Sequence, residues 1–117
     1  MATAGKMQFE TREAGPVAVL DVGGSVTMGE EAQALKKLLR DKLDKKQSVL
    51  VNLAGLRYMD SSGVGALVEA KAHAISHGVQ LRLCQVPHTL DKVLRELHLR
   101  QILEVYDTES EALGLFQ

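Results

Sequence analysis

The chain reads as an α/β domain: a mixed, mostly parallel β-sheet with an N-terminal antiparallel hairpin and about four helices, mainly on one face. Three observations predict it. Short apolar runs alternate with segments of helical spacing in the order β-β-α-β-α-β-α-β-α, and repeated strand-helix-strand units require parallel neighbours. The first two runs are joined only by a turn, too short for a crossover, so they pair antiparallel. The strand at residues 80–84 alternates polar with apolar side chains, which predicts one wet face and helices gathered on the other.

Residues 1–6 are small and polar, as in a loose terminus. Residues 7–12 read as a strand that Ala14-Gly15-Pro16 turns back, the proline fixing φ. Val17-Ala18-Val19-Leu20-Asp21-Val22 is the return strand, ended by Gly23-Gly24. From Gly29 to about Leu43, the residues Ala32, Leu35, Leu38, Leu39 and Leu43 keep helical spacing. Glu30 and Glu31 start that helix and Lys42, Lys45 and Lys46 close it, the order a helix dipole favours.

Residues 48–53 form a buried type of strand, and residues 64–77 an alanine-rich helix stopped by Gly78. After the strand at 80–84, Leu90, Val93, Leu94 and Leu97 mark a helix opened by Pro87 or Thr89. Residues 102–106 read as a short strand. Thr108 with Glu111 forms a capping box for a last helix carrying Ala112, Leu113 and Phe116. The 117 residues make one domain, with no internal repeat or low-complexity tract.

Composition narrows the function. Fourteen basic against fifteen acidic residues leave a net charge of -1, so no long-range field recruits nucleic acid or an anionic membrane. With no Trp, two Tyr and two Phe, there are few surfaces for base stacking. The single cysteine, Cys84, fits a reducing compartment. Neither a secretory signal nor a membrane-length apolar run is read in the sequence, so the expected location is the cytoplasm, with no membrane insertion.

The segment with most chemistry is Asp60-Ser61-Ser62-Gly63-Val64-Gly65. Asp and Ser before a helical run are N-cap residues, their oxygens accepting orphan N–H groups. Capping alone leaves three features over. Two hydroxyls follow a carboxylate, more than one cap needs. Gly63, Gly65 and Ala66 follow, although Gly costs a helix about 1 kcal/mol relative to Ala; small residues there let another backbone approach closely. A helix N-terminus also accommodates a phosphate.

Leu50-Val51-Asn52-Leu53 followed by Tyr58-Met59-Asp60-Ser61-Ser62-Gly63-Val64-Gly65 resembles the signature of STAS domains, specifically bacterial anti-sigma-factor antagonists. The likeness covers essentially the whole chain, including the opening hairpin, the Gly24 corner and the Leu81-Leu83-Cys84 strand. It implies that Ser61, directly after the aspartate, is phosphorylated by a partner that is both anti-sigma factor and serine kinase. It implies too that the unphosphorylated form binds that partner and frees a sigma factor, and that a metal-dependent serine phosphatase reverses the mark. The docking surface would comprise Thr27, Asp60, Ser61, Ser62, Gly63, Val64, Gly65 and Ala66, on a protein with no cofactor and most simply a monomer. One position departs: Thr27 stands where many members carry Asp. Its hydroxyl can cap or donate, but the negative charge is missing.

Other chemistry finds less support. Gly-x-Ser-x-Gly is absent and His73 lies three turns beyond Ser62, so a hydrolase is rejected and the protein is not expected to be an enzyme. Gly23-Gly24 and Gly29 form neither a phosphate loop nor a dinucleotide fingerprint. His73 and His77 have the i, i+4 spacing of zinc ligands, but no third ligand accompanies them, so no metal is expected. His88 and His98 are isolated. The basic residues of the first helix are interleaved with Asp41 and Asp44, as on a solvated face. Two alternatives stay open: a STAS scaffold or accessory subunit of a stress-signalling or lipid-transport assembly, and a small-molecule or nucleotide sensor.

Overall fold

The structure, a computed structural model, describes residues 7–116; the loose terminus expected at 1–6 lies outside the described residues. Strands β1 (Gln8–Ala14) and β2 (Val17–Val26) form the predicted hairpin, Ala14 opposite Val17. Gly15 turns the corner at φ +60°, a conformation that costs glycine nothing. β1 is an exposed edge, and Glu10, Arg12 and Glu13 along it discourage pairing with another chain.

Then follow α1 (Glu30–Asp44), β3 (Val49–Asn52), β4 (Leu56–Met59), α2 (Ser61–Ser76), β5 (Leu81–Cys84), α3 (His88–Glu96), α4 (Arg100–Leu103), β6 (Val105–Tyr106) and α5 (Glu109–Leu113). The sheet order is β1-β2-β3-β5-β6, parallel after the first pair, with β4 beside the far end of β2. Alternation in β2 sorts the core into two layers. Ala18, Leu20 and Val22 face Leu35, Leu39 and Leu43 of α1 and Leu67 and Ala74 of α2; Leu94 and Leu103 bring α3 and α4 to the same face. Val17 and Val19 face Ala112 and Phe116. Four helices thus cover one face and α5 alone covers the other.

Four expectations need correction. Gly23-Gly24 does not end β2, which runs to Val26. The absent side chain is what lets it pass: a Cβ on Gly23 would lie 3.1 Å from the Gly55 carbonyl oxygen. Second, β2 changes partner there, from β3 to β4, a strand not expected from so short and mixed a sequence.

Third, the described residues form five helices, one more than expected. Residues 100–103, the last two of which were expected to begin a strand, form the single turn α4 because Leu103 is drawn into the core. Glu104, left-handed at φ 56°, stops it and leaves only Val105–Tyr106 as strand. Fourth, the expected wet face of β5 is covered. Arg82 is only 8% exposed. Its guanidinium lies 4.9 Å from the Phe116 ring centroid and donates to the Leu115 carbonyl and to Glu104. An arginine stem and planar head can be buried this way when α5 and the segment after it close over them.

Candidate functional site

Asp60 is the hub of the site. β4 delivers it to the N-terminus of α2 with extended backbone (φ -91°, ψ -174°), the geometry of an N-cap. Oδ1 accepts from the amides of Ser62 at 2.9 Å and Gly63 at 3.2 Å, so two orphan donors of the first turn are satisfied. Oδ2 accepts from the Met28 amide at 3.0 Å, in the corner between β2 and α1. The Asp60 amide in turn donates to the Val26 carbonyl at 3.1 Å. One side chain therefore fastens two segments that lie about thirty residues apart in sequence. A cap of this kind stabilises a helix by about 1 kcal/mol.

The cap is Asp60 alone; Ser61 and Ser62, considered for the same role, are the first two residues of α2. Ser61 is exposed and Ser62 half-buried. Gly65, one turn on, is exposed, and a Cβ there would meet nothing within 4 Å. Gly63, Val64 and Ala66 point inward and are buried. A Cβ on Gly63 would collide with Met59 Cγ and come within 3.1 Å of Val26 Cγ1, so this glycine is a packing requirement. The named positions thus divide into an outward edge, Ser61 and Gly65, and a buried base that holds the turn in place.

Thr27 is half-buried beside them. Its Oγ1 donates to Glu31 Oε1 at 3.2 Å, and its carbonyl accepts the Ala32 amide at 3.0 Å. A carboxylate therefore does stand at this corner, supplied from the first turn of α1 by Glu31. α1 itself starts without a side-chain cap, at Gly29 with φ +93°.

The sequence reading passed over the apolar rim. Met28 is 71% exposed and Tyr58 57%, on the two segments that Asp60 joins. A small cleft of about 110 Å³ adjoins Tyr58, between β4 and the start of α3, lined by Met59, Pro87, Leu90 and Val93 among others. Large apolar side chains exposed beside a polar helix start were legible only as a local mismatch, an apolar pair in an otherwise polar context.

Neither helix histidine reaches Ser61. His73 and His77 stand in the last turns of α2 and beyond, roughly 20 Å along a helix rising 1.5 Å per residue. Cys84 is buried, and burial, with Glu109 and Asp21 nearby, pushes its thiol up to about 12, where no thiolate forms near neutral pH. Among the described residues, no helix is long and apolar enough to cross a membrane.

Known proteins share this fold. The STAS domain profile matches residues 8–112. A Thermotoga maritima protein assigned as an anti-sigma factor antagonist superposes with a TM-score of 0.83 and 26% identity, over 91% of this chain and 92% of that one. The phosphorylated form of the Bacillus cell-fate determinant SpoIIAA superposes at 0.74 with 20% identity, over 92% and 97%. The murine anion transporter Slc26a9 contains the same fold at 0.73 and 14% identity; 88% of this chain matches 18% of the transporter.

Proposed function

This chain belongs to the STAS domain family, and from that premise we propose that it is an anti-sigma-factor antagonist, a phosphoregulated binding module and not an enzyme. The observation that carries the reading is the placement of Ser61: exposed, first in α2, on a turn held by Asp60 and followed by the open Gly65. A kinase can reach its hydroxyl, and a partner backbone can lie against the glycine.

The partner is an anti-sigma factor that is also a serine kinase, captured in the cytoplasm so that its sigma factor is released. Phosphorylation of Ser61 adds about -1.5 to -2 charge at pH 7. The positive end of the α2 dipole tolerates that charge, so the fold persists. The contact does not: both Asp60 oxygens are already engaged, and a phosphate beside that carboxylate repels an acidic partner surface and must be desolvated. A serine phosphatase resets the module. Glu31, within reach of Thr27, supplies the corner carboxylate that many family members carry on the residue corresponding to Thr27.

A second reading is favoured by the fold shared with Slc26a9: a scaffold or accessory subunit in which the same helix start makes constitutive contacts. One experiment separates the two. The chain is incubated with the cognate anti-sigma factor and ATP, the phosphosite is mapped by mass spectrometry, and binding is measured by calorimetry for Ser61→Ala and Ser61→Asp. The antagonist reading expects one phosphate on Ser61, retained binding by Ser61→Ala, and a loss of at least about tenfold in Ser61→Asp. Equal affinity of the two variants overturns it.

A further inference from the structure

The C-terminal ends of α1 and α2 lie side by side, and three side chains converge there. His73 Nε2 is 2.7 Å from Asp44 Oδ1, and His77 Nε2 is 3.5 Å from the same oxygen. One ligand atom from each lies within 4.8 Å of the other two. The imidazoles have ring centroids 4.1 Å apart and planes tilted by 32°. In the sequence the histidine pair has no third ligand in its own segment; α1 supplies it across the helix interface.

We infer that Asp44, His73 and His77 form a site for one Zn²⁺ ion, each giving one ligand atom and water completing a tetrahedron. The donor set, two imidazoles and a carboxylate, suits zinc and not the all-oxygen cations. The second shell is in place on His77. Its Nδ1 lies 3.0 Å from the His73 carbonyl oxygen, which can only accept, so the proton sits on Nδ1 and Nε2 keeps its lone pair. Ser76 Oγ, which donates to the same carbonyl at 2.9 Å, stands 3.1 Å from Nδ1.

The spacing is close to what the ion requires. Ligand atoms at 2.1 Å from a tetrahedral centre are about 3.4 Å apart, and the Asp44–His77 pair already has 3.5 Å. The Asp44–His73 contact has to open by less than about 1 Å. Asp44 can provide that movement, being the last residue of α1 with 57% of its side chain exposed. As it opens, the His73 proton resides on Nδ1 and Nε2 turns to the metal.

Two helix C-termini meet here, and their carbonyl ends favour a cation. Opposing charges stand nearby: Lys46 Nζ is 3.3 Å from the His77 carbonyl, and Lys36, Lys37 and Arg40 line the adjoining cleft, where Asp41 and Glu69, the latter paired with Lys36, counter them.

The test is calorimetric titration of the untagged chain with Zn²⁺, with Co²⁺ absorption reporting coordination geometry. One ion per chain and the visible bands of tetrahedral Co²⁺ are expected. His73→Gln, His77→Gln and Asp44→Asn should each weaken binding at least about tenfold, with urea midpoints of the metal-free variants near that of the parent. A His88→Gln/His98→Gln double variant should bind like the parent. Should a ligand variant unfold, Co²⁺-induced paramagnetic shifts of the His73 and His77 ring resonances in the unmodified chain decide the matter. No saturable binding, binding that survives both single histidine variants, or Co²⁺ shifts elsewhere overturns the site.

Discussion

The two ends of α2 are finished in opposite ways. At Ser61 the helix start is satisfied by Asp60, which precedes it, and by the tie to Met28; the outward residues are small and make no side-chain claim on their surroundings. At His77 the helix end is bound across to α1 through Asp44 and Lys46. The first end is held from beneath and open above, the second is cross-braced. The amide end carries the carboxylate that its dipole prefers. The difference teaches that one rigid helix can keep a contact surface and a bracing point far enough apart to be altered separately.

That separation depends on the shaft. Lys71, 8% exposed in mid-helix, donates from Nζ to the Leu81 carbonyl at 2.9 Å and pairs with Glu104, which also takes Arg82 at 3.3 Å. Lys71→Ala is the largest break available. It removes a buried cation, strands part of the Glu104 charge and should cost about 2–3 kcal/mol, read as a lower urea midpoint. Both ends of α2 should lose amide-exchange protection together, and loss at one end only would show that the shaft does not couple them.

Acid attacks the same anchor more gently. Burial alone raises the Glu104 carboxyl, but the hydrogen bond from Lys71, with Arg82, holds it below 4.5. Glu109 is likewise lowered, first by its hydrogen bond from Arg12 and then by Asn52. A folded-state value below the unfolded one means stabilisation that is complete above about pH 4.5 and lost as pH falls through the folded values. The urea midpoint should therefore drop as pH falls below about 4.5, and drop less steeply in Glu104→Gln. An unchanged slope in that variant would remove Glu104 from the account.

The smallest effect sharpens the contrast most. Gly65→Ala adds a methyl where nothing lies within 4 Å, so the fold should gain about 0.5–1 kcal/mol of helix propensity. The same methyl occupies the space we assign to a partner backbone, so affinity for the anti-sigma factor should fall. A variant that is both more stable and fully active would move the contact away from this turn.

How much of this was legible beforehand depends on the range of the interaction that sets each feature. The hairpin, the parallel order and the two long helices follow from local periodicity, and Leu35, Leu39, Val49 and Val51 land in the core where their spacing puts them. The Thr108–Glu111 pairing is half right: Thr108 accepts the Glu111 amide, while Glu111 accepts from Asp107 and not from the capping residue. What escaped is set by long-range contacts. β4 exists because β2 continues past two glycines to meet it; α4 exists because Leu103 finds the core. Arg82 is buried because a segment more than thirty residues later covers it. At the site, Asp60 and Ser61 were visible from residue type, but the bond to Met28 and the contribution of Glu31 at Thr27 depend on tertiary proximity.

The exchange of partners along β2 has a bearing on how this chain tolerates length changes. The connections at 45–48 and 77–80 lie at the sheet end opposite Asp60, and a longer loop in either leaves the Asp60–Met28 bond untouched. The stretch between Gly23 and Thr27 has no such freedom. One residue inserted there would turn the side chains that follow it in β2 to the other face and carry the Met28 amide off Asp60. For anyone splicing a loop or a reporter into this scaffold, the far rim spares the helix start at the expense of the Lys46–His77 tie, and the near rim is closed.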